Sequence, residues 1–121
     1  MSNDSAGWRG SLVSLLETLS SRVAQEDYEQ SVPIAQVPAE LICGWFDDLY
    51  HPGTPLFEAA FSPGEREVLA DFNAVFAGEV DSLDGAVHVS ELWEKPGWAR
   101  VSSAAGLAHR LLVGSARGQE T

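Results

Sequence analysis

Leu41–Phe76, LICGWFDDLYHPGTPLFEAAFSPGEREVLADFNAVF, is the stretch that decides the fold. It sets an aromatic and acidic run against a Pro-Gly break, then begins a second apolar run. Two readings compete: the frame of an active site, or two helices packed across a turn. Its second half is the clearer. Ser62 stands where a helix cap belongs, and Pro63 fits the first helical position, whose N–H would lack an intrahelical partner anyway. Glu65 lies three residues after Ser62, the spacing of a capping box. Val68, Leu69, Phe72, Val75 and Phe76 then share one stripe, with the small residues Ala70, Ala74 and Ala77 behind it. In the first half, Pro38 opens a helix on which Leu41, Ile42, Trp45, Phe46 and Leu49 form one face. Pro52 and Gly53 end it near Tyr50. The segment TPLFEAAF between the two has room for a single helical turn.

Working outward, Leu12, Val13, Leu15, Leu16, Leu19 and Val23 recur at three- and four-residue steps and predict an amphipathic helix over about 9–28. The prolines of SVPIAQVP predict an extended linker after it. Gly78–Gly85 reads as a loop. Residues 86–94 mix a short β-type run with a helix start, and a short helix is the better fit. Pro96 opens a last helix with Trp98, Val101, Ala105, Ala108 and Leu112 inside, widened by Leu107 and Leu111 and stopped at Gly114. The fold class expected is all-α: one domain over 1–121, a compact bundle of about four main helices plus one or two short helical turns, with frayed ends at about 1–7 and 115–121.

The charge is uneven. The chain carries 18 acids and 7 Lys and Arg, a net of −11. Glu26 to Glu94 holds fifteen acids and one base, Arg66, for −14, while Lys95 to Thr121 is +3. A field of that sign repels phosphate backbones, which sets nucleic acid aside, and draws basic proteins or cations. A single Cys cannot form an internal disulfide. No apolar run approaches a membrane span, and Glu17 interrupts the apolar N-terminal stretch where a signal peptide needs continuity. A cytoplasmic protein is expected.

No motif names a chemistry. Asp47 and His51 are four apart, a spacing at which carboxylate and imidazole can share a metal or a proton. His51 precedes Pro52, however, which pushes it out of helical geometry. Glu40 and Asp47 are ~10 Å apart along a helix, too far to hold one ion. Cys43 lies among large apolar residues with nothing to lower its thiol pKa. His109 sits at the edge of the last helix's inner stripe, and His88 has no evident partner. Trp45 and Trp98 fit inner stripes; Trp8 and Trp93 fit either packing or a partner-binding anchor.

About residues 38–77 resemble the middle of a family of small bacterial proteins of unassigned function. The likeness lies in the aromatic-and-acid helix (Trp45, Asp47, Asp48), the Pro-containing turn, and the helix start Phe61, Ser62, Glu65 followed by Leu69 and Phe72. It implies no activity. In size and charge the chain also resembles toxin-neutralising immunity proteins, a likeness of class rather than motif. The function expected is a non-enzymatic acidic interaction domain that neutralises or regulates a basic partner protein, through Glu40, Asp47, Asp48, Glu67 and Asp71 with Trp93, and without a cofactor or metal. The alternative is a small metal-dependent or hydrolytic enzyme using Asp47, Asp48 and His51.

Overall fold

The computed structural model describes residues 4–119. Among them the elements are all helical: α1 (Asp4–Leu19), α2 (Arg22–Ser31), α3 (Val37–Cys43), a π-helical turn (Gly44–Leu49), α4 (Pro55–Ala60), α5 (Pro63–Glu79), a 3-10 turn (Val80–Leu83), α6 (Val89–Trp93) and α7 (Pro96–Gln119). The all-α expectation holds. α1 and α5 both pack on the long α7, and α4 and the π-turn close over α1.

The start of α5 forms as its sequence dictates. The Ser62 hydroxyl accepts from the Glu65 N–H at 3.2 Å, and the Glu65 carboxylate accepts from the Ser62 N–H at 2.9 Å. Thr54 caps α4 through the Phe57 N–H. The core is an aromatic chain: Tyr50 stacks on Trp45 at 4.8 Å, Trp45 meets Phe72 edge-on at 4.7 Å, and Phe72 leads through Phe76 to Trp98. The aromatics of the deciding stretch are therefore packing between two helices.

Four expectations need correction. The helix over 9–28 is two helices, because Ser20 and Ser21 break it. The Ser21 hydroxyl caps α2 at the Ala24 N–H, and Ser20 turns back onto the Glu17 carbonyl. Side chains that bond the local backbone compete with helix continuation. Val23, read into the apolar stripe, is consequently 67% exposed. The loop at 78–85 is largely helical: α5 runs to Glu79 and a 3-10 turn follows, burying Leu83. Gly114 does not stop α7, which continues to Gln119; one helical glycine costs only about 1 kcal/mol. Leu107 and Leu111 are half-exposed rather than core. As for the frayed ends, α1 already begins at Asp4 and 115–119 are helical; Met1–Asn3 and 120–121 lie outside the described residues.

The second half of the Pro38 helix is π-helical, with the Tyr50 N–H bonding the Trp45 carbonyl at 2.9 Å. The wider turn brings Tyr50, five residues on, over Trp45, where an α-helix would bring Leu49. Gly44 begins the turn, where an added Cβ would stand 3.6 Å from the Leu15 side chain of α1.

Candidate functional site

An open groove of about 540 Å³ lies where α1, α2, α3 and the π-turn meet. α1 supplies Ser14 and Thr18, α2 supplies Tyr28, α3 supplies Glu40 and Cys43, and the π-turn supplies Asp48. Among the described residues no Lys, Arg or His lines it. The break at Ser20–Ser21 makes the groove, because it turns α2 away from α1 and brings Tyr28 opposite α3. There the Tyr28 hydroxyl donates to the Glu40 carboxylate. That bond holds the Tyr28 phenol above its ordinary pKa, with burial adding to it. Glu40 is thus an oriented acceptor at the groove wall.

Cys43 is exposed, not partly buried as its apolar neighbours suggest. Its thiol is pushed up, first by desolvation and then by the Asp47 and Asp48 carboxylates. A thiol with a raised pKa carries little thiolate, and thiolate is the nucleophilic form.

The six expected interface residues fall into separate places. Glu40 and Asp48 line the groove; Asp47 is exposed beside it. Glu67 and Asp71 are exposed on α5, where Asp71 edges a different groove, between α5 and α7. Trp93 is half-buried, and its indole N–H donates to the Gln25 amide oxygen at 2.8 Å. Trp8 is similarly engaged, donating to the Leu49 carbonyl at 2.8 Å. Asp47, Asp48 and His51 do not converge: the His51 Nε2 lies 2.7 Å from the backbone carbonyl of Asp47, not its carboxylate. Among the described residues no three His, Cys, Asp or Glu side chains stand close enough to hold a metal ion together. His88 finds a partner in Glu29, 3.6 Å away.

Three important side chains escaped the sequence reading. Gln25 is fully buried and saturated: its amide nitrogen donates to the Thr18 and Leu19 carbonyls, and its oxygen accepts from Trp93 and Trp98. Arg9 forms a two-pronged pair with Glu65 at 2.8 Å and also reaches the Ala60 carbonyl. Ile34 is 99% exposed at the tip of the turn after α2. Only Ile34 had a visible signal, an apolar residue between two prolines. A polar residue spaced to face the core, such as Gln25, reads as an interruption until its partners are known.

Comparison with family models, with curated proteins and with solved structures returns no match to this chain. No described helix is long and apolar enough to cross a membrane.

Proposed function

We propose that the chain is a non-enzymatic interaction domain whose acidic groove receives a basic segment of a partner protein, in the manner of an immunity protein holding a toxin. The observation that carries this reading is the groove itself: two carboxylates, Glu40 and Asp48, and four hydroxyls, of Ser11, Ser14, Thr18 and Tyr28, line it, and among the described residues no cationic side chain does. A Lys or Arg side chain entering there finds oriented acceptors and meets no repulsion, and the −14 middle of the chain steers it inward. Tyr28 fixes Glu40 in place, which lowers the ordering cost on binding. Asp47, just outside, belongs to the rim that acts on approach. Glu67 and Asp71 on α5 add to the long-range field but not to the groove.

The test is affinity capture from the source cell at low and high salt, with the Glu40→Gln, Asp48→Asn double variant in parallel. Basic proteins held by the unaltered chain at low salt, released at high salt and not captured by the variant, are the expected result. A partner retained equally by the variant would move the interface off this groove.

A further inference from the structure

α2 is fastened to the bundle differently from the other helices. Among the described residues it buries one side chain, and that one is polar, Gln25. Ala24 is half-buried and Val23 is exposed. Every other helix buries apolar side chains; α6, half as long, buries Val89 and Leu92. What holds α2 is a set of polar contacts on three sides. Gln25 bonds to the end of α1 and to the indoles of Trp93 and Trp98. Tyr28 donates to Glu40 of α3, and the Glu29 carboxylate accepts from the Val89 N–H of α6 at 2.9 Å.

We infer that α2 is a latched flap: it opens as one unit between Ser20 and Gln36 while α1, α5 and α7 stay packed, and its closure completes the acidic groove. Apolar packing resists opening because water offers nothing in exchange for it. A hydrogen bond differs, since water that reaches both partners replaces most of what the bond supplied. A helix held by polar contacts therefore opens before helices held by a core. The limits of the flap are set by its neighbours. Leu19 before it and Val37 after it are fully buried and keep both ends in place. The breaks at Ser20–Ser21 and at the turn around Pro33 already interrupt the helical path on either side.

Ala24 and Tyr28 are the share of the groove lining that α2 provides. Opening removes that wall and frees Glu40 from its bond to Tyr28. The flap thus sets the fraction of molecules that present a formed groove, and the apparent affinity of any groove ligand scales with that fraction. The motion needs no ligand, so it can fail while the docking of a basic segment stands, and the reverse.

The experiment is native-state hydrogen exchange on the full chain, followed amide by amide with nuclear magnetic resonance. The 10 residues of α2 are too few to stay helical alone, so opening bares their amides to solvent. The amides from Gln25 to Ser31 should share one opening constant, at least about tenfold above that of the α5 and α7 amides. Tyr28→Phe, which removes the hydroxyl and keeps the ring, should raise that constant about threefold or more and leave α5 and α7 unchanged. Glu29→Ala should do the same from the α6 side. Asp27→Asn, exposed on the same helix and outside the latch, should not. Exchange of the α2 amides at the rates of α5 and α7 would overturn the proposal, because the helix would then open only with the whole bundle. Protection graded from the helix ends, with the middle held as firmly as α5, would overturn it in favour of simple fraying. Latch variants that loosen no amide, or all amides alike, would overturn it as well.

Discussion

At the scale of single residues, two polar side chains inside the molecule do more than any apolar one to fix its geometry. Gln25 uses both amide hydrogens and its oxygen, so removing it strands two indole N–H groups and two carbonyls at once. Gln25→Leu should therefore lower stability by about 2–4 kcal/mol, read as a fall in urea midpoint, although it adds apolar surface. An unchanged midpoint would mean that water replaces all four bonds. Arg9 and Glu65 form the second such point. Burial alone would raise the Glu65 carboxyl, but the Arg9 guanidinium and the Ser62 N–H outweigh it and hold the group below the ordinary carboxylate range. Glu65 is almost fully buried, so Arg9→Met leaves an uncompensated charge and should cost about 3 kcal/mol or more in thermal unfolding. Replacing Asp47 and Asp48 together by Asn should leave the melting temperature within error, because both side chains are exposed. An unfolded double variant would show that these carboxylates hold the fold together.

At the scale of elements, the capping box is the test of how far local sequence dictates structure. Ser62→Ala should cost ~0.5–2 kcal/mol by stranding the Glu65 N–H, and an unchanged melting temperature would mean that α5 does not depend on its cap. Ser62–Glu65, Thr54–Pro55 and the buried stripe from Trp98 to Leu112 could be read directly, since each rests on contacts within one helix. The break at Ser20–Ser21 could not. Apolar spacing alone carried the helix through to Tyr28, because Val23 falls in register and the competing hydroxyl bonds leave no periodic trace. The π-turn was equally hidden: a wheel of 3.6 residues per turn puts Leu49 over Trp45, and only the packing of Tyr50 on Trp45 selects the wider turn. These two departures build the acidic groove, which is why the acids were legible as a charge but not as a site. Sequence put Glu40, Asp48 and Asp71 on one face; the fold parts them between two grooves.

At the scale of the whole molecule, charge governs both stability and approach. The Glu65 carboxyl, held down by Arg9, the half-buried Glu79, held down by Arg100, and Glu91, held down by the backbone N–H groups of His88 and Val87, all keep protons less well folded than unfolded. Acid thus favours the unfolded chain. Stability should be constant above about pH 5 with respect to these groups and fall as pH drops below the ordinary carboxylate value near 4.3. Thermal melts between pH 3 and 7 check this; a chain that stabilises on acidification would show that self-repulsion among the 18 acids outweighs the three pairings. The central claim, that the groove between α1, α2 and α3 is where a basic segment docks, is tested most directly by nuclear magnetic resonance. An Arg-rich peptide titrated into isotopically labelled protein should shift the amides of Thr18, Tyr28, Glu40, Cys43 and Asp48 first and most, with the shifts suppressed by 0.5 M salt. Shifts spread evenly over Glu58, Glu67, Asp81 and Glu94 as well would reveal non-specific attraction to an acidic surface and contradict the claim.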